Sequence, residues 1–490
     1  RVLFRSFIIP QVLQVGVIVP VLKKPTLNPL DPASFRPITV CSVFSIIAEK
    51  FICISDNVSE NQFGFRKHRS TEFACGLLSD VINYFKDKGS PLFICSMDAE
   101  KCFDRIWHDG LFYKLWGSLQ TWEWLFLFSW YRKLSAVVKW QHTFSKPFKI
   151  TRGTRQGSCL SPGLFNVFIN DLLLSLSDAE HGIRINDLKL NSFAYADDIT
   201  LISSTPGGLQ ELINICYSYA NAWKFSFGHA KTKCMVACPN RGGLSRPSDW
   251  TACRWTLGRD NLATVDQLDI LGVCFQSNGK WNCHINNRIA CARRAIFRYS
   301  GVGMIYPGLL PDVKSYLWRT VGLPSLTYGI NCINFSASNL SMLESTQGRI
   351  IKHILGLSKY AHHSKLLAAL HVPPVAYSIL FDTVNLLKRI FAVPSCYRSL
   401  CAHFIFDYIS RGVTTPGTLV DRIVTHNLSP LESILHFRDV QKVVRGRVAG
   451  LSPGHDGLVD SLAALLRAPD FNVRSSNSHK LFRLLTAVAP

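Results

Sequence analysis

The chain has 490 residues, 47% hydrophobic and 18% charged, with 54 Lys and Arg against 33 Asp and Glu and a formal net charge of +21. Such apolar content excludes a disordered chain, and the length suits about two to four domains. The positive excess points to a polyanionic partner, nucleic acid first, because clustered Lys and Arg gain affinity by displacing counterions from phosphates.

The 16 cysteines are scattered and no signal peptide is visible, so they read as reduced, intracellular thiols. Cys234, Cys238 and Cys253 lack a His at zinc-finger spacing, and no zinc site is expected there. No uncharged apolar run reaches the roughly 18 residues that span a bilayer, so no membrane partner is expected. The chain begins with Arg1 rather than Met, which reads as an N-terminally truncated fragment.

In chain order, "VGVIVPVLKKP" and "NPLDPASFRPITV" alternate β-branched runs with Pro breaks and predict an irregular β-rich lobe. Across "STEFACGLLSDVINYFKDK" the residues Phe73, Leu77, Leu78, Val81, Ile82 and Phe85 share one face of a helix. "PLFICSMD" is a continuous apolar run ending in Asp98, the pattern of a buried strand, and "TWEWLFLFSW" predicts a buried helix. Residues 151–172 read as a Gly-containing loop feeding a helix with Ser161 as N-cap and Pro162 at its first position.

The stretch "NSFAYADDIT" sets Asp197 and Asp198 between two apolar runs, which predicts a β-hairpin with the two acids in its turn. Beyond "LDILGVCF" helical periodicity dominates. The segment "RIACARRAIFRY" carries Arg288, Arg293, Arg294 and Arg298 on a basic helix that suits either a phosphate backbone or solvent. Residues 281–490 hold 23 basic against 10 acidic side chains, the steeper bias of the two parts.

Two adjacent carboxylates repel each other, and a nearby cation relieves the conflict. If the strand ending at Asp98 lies beside the hairpin, three carboxylates meet at one sheet end. Such a set suits Mg²⁺, a hard ion that takes oxygen ligands and bridges to substrate phosphates. Two ions about 4 Å apart can clamp an in-line phosphoryl transfer.

Seven segments in order extend this reading. "SFRPITV", "NQFGFRKHRST", "SMDAEKCFDRIWH", "TRQGSCLSPGLFNVFINDLL", "FAYADDITLI", "HAKTKCM" and "LDILGVCFQSNGKW" resemble the successive motifs of reverse transcriptases, in wording and spacing like non-LTR retrotransposons of the Jockey-like kind. The resemblance is clear over roughly residues 15–285 and weaker beyond.

It implies an α+β right-hand polymerase: fingers and palm over 1–275, a helical thumb over 276–355, and a basic helical region over 356–490 whose role it does not define. It implies an RNA-directed DNA polymerase working on an RNA template, a DNA primer and dNTPs. Asp98, Asp197 and Asp198 would hold two Mg²⁺, or Mn²⁺, with help from the Ala99 carbonyl. Phe103 would reject the 2′-hydroxyl. Arg36, assisted by Lys23 or Lys24, would grip the triphosphate, and Gln156 and Gly157 would meet the nucleotide. Lys231, or Lys233 in a competing register, would stand by the leaving pyrophosphate.

Element RNA and target DNA are the implied partners, with priming from a nicked chromosomal end and hence synthesis in the nucleus. A group II maturase or telomerase-like polymerase, or an inactive, domesticated nucleic-acid-binding remnant, stand as alternatives. The chain departs from the family at Cys102 (usually Ala), Arg155 (often Pro) and Gly163 (commonly Leu), and lacks the Asn expected near Gly228 or His229. None of these removes a carboxylate.

Overall fold

The computed structural model describes residues 9–425 apart from 25–26, 55–56, 186–187, 238–252, 306 and 412–413. The expectations attached to residues 1–8, to Cys238 and to the basic tail from 426 onward lie outside the described residues.

Two sheets organise the N-terminal half. The first is formed by β1 (Val15–Leu22), β2 (Phe35–Val40), β4 (Ser135–Trp140) and the two-residue strands β5 (Thr143–Phe144) and β6 (Phe148–Lys149). β1 pairs antiparallel with β2 and parallel with β4, so Ile18 lies between Thr39 and Val138. Pro20 and Pro37 face each other across β1 and β2, where a missing N–H confines proline to poorly bonded strand positions. This is the irregular β lobe the Pro breaks predict.

The second sheet is antiparallel around β3 (Leu92–Asp98), which runs between β10 (Asp198–Ser203) and β11 (Lys233–Ala237); β9 (Ser192–Tyr195) pairs on the far side of β10. The small hairpin of β7 (Ile183–Ile185) and β8 (Leu188–Leu190) lies nearby in sequence. β3 is covered on both faces, which is why its apolar run does not alternate: Leu92, Phe93, Ile94, Cys95 and Met97 are all buried.

Helices cover the two faces of that sheet. Thr71–Asp87 starts on the Ser70 side chain, which accepts the Phe73 N–H, and buries Phe73, Leu77, Leu78, Val81 and Ile82. Ser161–Asp178 and Pro206–Ala222 pack with Thr121–Arg132 against the opposite face. Ser161 is the first helical residue rather than the cap, with Pro162 second; its hydroxyl donates to the Arg155 carbonyl instead of capping the helix.

From residue 282 onward the described chain is helical: Asn282–Phe297, Ala337–Ile354, Val375–Ala392, Cys396–Arg411 and Leu419–Thr425. The last of these return to the Thr71–Asp87 helix. Asp80, fully buried there, accepts from the Tyr397 hydroxyl (3.0 Å) and the Leu419 N–H (2.9 Å), with Arg422 at 3.6 Å. Arg389 donates to Glu72 at 2.8 Å. Helical segments beyond residue 355 therefore share one core with the central sheet, a contact that periodicity alone does not reveal.

Candidate active site

Asp198 opens β10 directly opposite Asp98, the last residue of β3, so the two carboxylates leave the same end of the sheet. The hairpin differs from the sequence expectation by one residue. Its turn is Ala196 and Asp197, while Asp198 already pairs with Tyr195. The positive φ falls on Ala196, at 57°, rather than on an aspartate. The apolar flanks explain the shift, because Ala194, Ile199 and Leu201 are pulled into the core and fix the register.

What holds an alanine in the left-handed region is a segment not singled out residue by residue from sequence. Residues 61–64 run beside β9: Ala194 N–H donates to Asn61 O (2.8 Å) and Phe63 N–H to Ala194 O (2.7 Å). The buried Gln62 carboxamide oxygen accepts from both Ala196 N–H (2.9 Å) and Gly64 N–H (2.8 Å). A non-glycine residue at this φ costs about 1–2 kcal/mol, and two bonds onto one side chain offset that cost. The signal in the sequence was "NQFG": a Gln two residues before a Gly that passes very close to the turn.

Electrostatics at this sheet end are strained as the paired acids predict. Burial, then repulsion from Asp197 and Asp98, pushes the Asp198 carboxyl up to about 6, against the opposing pull of Lys231. Burial likewise raises Asp197, which accepts a hydrogen bond from the Cys102 thiol. The departure at Cys102 thus supplies a donor where the usual alanine has none. Lys231 Nζ lies 2.8 Å from Asp98 Oδ2, and that bond raises the lysine's own pKa. The loop carrying it is tied to the end of β3, with Gly228 N–H on Asp98 O and Glu100 N–H on Ser226 O. Lys233 instead sits on β11 opposite Ser96.

A cavity of about 1,140 Å³ opens from this point, and Lys23, Arg36, Asp98, Ala99, Phe103, Gln156, Gly157, Asp197 and Lys231 all line it. Neither Asp198 nor Lys24 is among the lining residues. Phe103 is held by stacking on Phe165 (4.8 Å between centroids) and by the edge of Phe65 (6.0 Å). Gln156 donates to Asp104 Oδ1 at 2.8 Å, and its carbonyl accepts Thr39 N–H at 2.6 Å, joining the loop to β2. Gly157 needs to be glycine: its φ is 113°, and a Cβ would stand 2.8 Å from Thr39 O. Arg155, buried over the Trp130 ring, donates to Leu13 O (2.8 Å) and Gln14 O (2.9 Å), anchoring the same loop from behind.

The donor set fits a hard divalent ion: three carboxylates and the carbonyl end of β3 offer oxygen alone. Among the described residues no three His, Cys, Asp or Glu side chains are grouped as a site that could hold a metal ion in this arrangement. In its place the Lys231 ammonium rests on Asp98, a positive charge where the repulsion calls for one. Among the same residues no helix is long and apolar enough to cross a membrane.

A central antiparallel sheet with carboxylates at one end, a β lobe across a cavity and a helical continuation together define a right-hand polymerase. Residues 21–275, just over half of the chain, match the family described as "Reverse transcriptase (RNA-dependent DNA polymerase)", and the chain belongs to that family.

Among curated relatives, "RNA-directed DNA polymerase from mobile element jockey" of Drosophila funebris is 24% identical over 374 residues, 73% of this chain and 39% of its own length. "Probable RNA-directed DNA polymerase from transposon BS" of Drosophila melanogaster is 30% identical over 228 residues, 43% of this chain and 24% of its own. The chain thus spans about two-fifths or less of the length of these relatives. Among solved structures, apo telomerase from Candida Tropicalis aligns over 77% of this chain and 62% of its own at 13% identity, with a TM-score of 0.39, a likeness too loose to carry an argument.

Proposed function

We propose that this chain is the polymerase portion of a non-LTR retrotransposon protein and extends a DNA 3′-hydroxyl on an RNA template. The observation carrying this is the meeting of Asp198 with Asp98 across β10 and β3, with Asp98 and Asp197 lining one cavity that Arg36, Phe103, Gln156, Gly157 and Lys231 share. Fingers and palm would occupy residues 1–275 and the thumb 276–355, with the remaining helices bracing the palm.

Asp98, Asp197 and Asp198 would hold two Mg²⁺. When bound, these ions supply activation of the primer hydroxyl and charge neutralisation on the leaving pyrophosphate. The residues themselves act by position. Arg36 would take the triphosphate with its planar fork. Gly157 lets backbone approach the nucleotide. Phe103, clamped between Phe165 and Phe65, has no slack to accept a 2′-hydroxyl beneath the sugar. Lys231, held 2.8 Å from Asp98 at the cavity wall, would place its charge on the departing phosphates.

The jockey and BS relatives are named as RNA-directed DNA polymerases. A relative from retrotransposable element R2 of Nasonia vitripennis, 26% identical over 267 residues, agrees with a role in retrotransposition, for which we infer priming at a nicked target in the nucleus. The test is incorporation of labelled dTTP on oligo(dT)-primed poly(rA). We expect synthesis that chelation stops and Mg²⁺ or Mn²⁺ restores; a folded, RNA-binding protein that incorporates nothing overturns the reading.

A further inference from the structure

Two of the scattered cysteines meet where the sheet region passes into the helices. The hairpin of Gln267–Ile270 and Val273–Gln276 sets Gln267 opposite Gln276 and Asp269 opposite Cys274, so these four side chains share one face. Onto that face comes the first turn of the Asn282–Phe297 helix. Cys283 Sγ lies 3.2 Å from Gln267 Oε1, and Cys283 N–H points at Gln276 Oε1 at 3.5 Å. The same thiol is in hydrogen-bond contact with the Cys274 thiol, which burial and then this contact push above its ordinary pKa.

Position suits the two sulfurs to different parts in an exchange. Cys283 is partly exposed, within reach of a small thiol reagent, whereas Cys274 is buried behind it. Asn287 Nδ2 stands 3.8 Å from Cys283 Sγ, and the free N–H groups of the helix start lie around it, so charge on the attacking sulfur is stabilised. Cys95 and Cys234 also oppose each other, on β3 and β11, but both are fully buried and closed to any reagent. On the other side of the joint the contacts are fixed: buried His284 accepts Cys274 N–H at 3.3 Å and meets Tyr328 O at 3.1 Å, and Trp281 packs against the Phe275 edge at 5.4 Å.

We propose that Cys274 and Cys283 form a reversible disulfide that locks the helix start to the hairpin and slows extension. The thiol chemistry stands by itself, and its effect on extension rests on the polymerase reading. Cys283 Sγ attacks one sulfur of glutathione disulfide and releases one glutathione. Cys274 Sγ then attacks Cys283 Sγ and releases the second. The two thiols are oxidised by two electrons, one glutathione disulfide is reduced, and the two thiol protons leave on the two glutathiones. In a reducing compartment such a bond is transient. A disulfide is about 2.0 Å long, shorter than any hydrogen-bond contact between sulfurs, so oxidation draws the helix onto the hairpin and removes the freedom of residues 277–281 between them.

The test equilibrates the full chain with glutathione and glutathione disulfide, blocks free thiols by alkylation and digests with trypsin. Cleavage after Arg259, Lys280 and Arg288 leaves Cys274 and Cys283 as the sole cysteines of two peptides, 260–280 and 281–288, which stay together only through the disulfide. The joined pair is expected from oxidised wild type, and is expected to vanish with dithiothreitol and in Cys283→Ser. Primer extension by oxidised wild type is expected to fall at least about tenfold and recover with dithiothreitol, while Cys283→Ser stays within about twofold of its reduced rate, since a shift of about 1 Å costs about a hundredfold. Matching circular dichroism melts show that the variant folds.

Peptides that stay separate, or a Cys283 that carries glutathione alone, overturn the site. An equal loss of extension in Cys283→Ser assigns the inhibition to another thiol and overturns the lock, as does a formed disulfide that leaves extension unchanged. A joined pair in a protein that makes no DNA, oxidised or reduced, leaves the thiol site standing and sinks the polymerase reading instead.

Discussion

Gly64→Ala is a single methyl aimed at the catalytic turn. The added Cβ would lie 2.2 Å from Ala196 N, 2.9 Å from Ala196 Cα and 3.0 Å from Gln62 Oε1. Ordinary contact begins near 3.4 Å, so turn and segment must separate by about 1.2 Å. The first two atoms are backbone and cannot swing aside. Either the turn moves, carrying Asp197 and Asp198 with it, or residues 61–64 peel from β9 and give up the bonds from Phe63, Ala194 and Ala196. Three such bonds at about 1 kcal/mol each come to about 3 kcal/mol. Displacing reacting groups by about 1 Å costs about a hundredfold in rate, or about 2.7 kcal/mol.

The two routes have similar cost, so both a slower chemical step and a modest loss of stability are expected. Single-turnover primer extension at saturating dNTP should show the rate down by about a hundredfold while primer–template affinity stays within about twofold. Gly207→Ala is the control, because a Cβ there meets nothing within 4 Å. A Gly64→Ala protein extending at a rate within about threefold of wild type would refute the claim that this segment positions the aspartates.

Replacing Phe103 with Val should open space beneath the sugar, and the ratio of kcat/KM for dNTP over rNTP should fall by about ten- to a hundredfold, the worth of relieving an overpacked contact of about 1–3 kcal/mol; an unchanged ratio rejects the gate. At the far side of the palm, Arg422→Met leaves Asp80 buried without its cation and should cost about 3–5 kcal/mol in urea unfolding. Burial outweighs Arg422 and holds the Asp80 carboxyl up at about 6, against 3.8 ordinarily. The folded state therefore binds this proton more tightly than the unfolded one, and the group's contribution to stability is full below about pH 4 and falls as pH rises to about 6. Asp80→Asn should remove that part of the slope between pH 4 and 6, and a pH profile identical to wild type would contradict the assignment.

The sequence made some of this legible because two periodicities are strong in it. The unbroken apolar run of β3 has the pattern of a buried strand, and the hairpin was visible from its apolar flanks. The exact turn was not, because choosing Ala196 over Asp198 for the turn depends on which side chains the core takes, a tertiary decision. Gln62 and Gly64 could be seen as part of a motif but not as partners of Ala196, since 134 residues separate Gln62 from Ala196. Likewise Arg155 looked like a mere departure until Leu13 and Gln14 supplied its acceptors. The return of Tyr397 and Arg422 to Asp80 joins positions more than 300 residues apart, and no local pattern encodes a contact of that range.

The central claim is that Asp98, Asp197 and Asp198 do chemistry rather than occupy a sheet end. A labelled DNA primer on an RNA template, with dNTPs and Mg²⁺, tests it by comparing wild type with Asp197→Asn and Asp198→Asn. The account predicts a ladder of extended DNA from wild type and none from either variant, while both bind the primed template as tightly as wild type. Extension by either variant at the wild-type rate would contradict it.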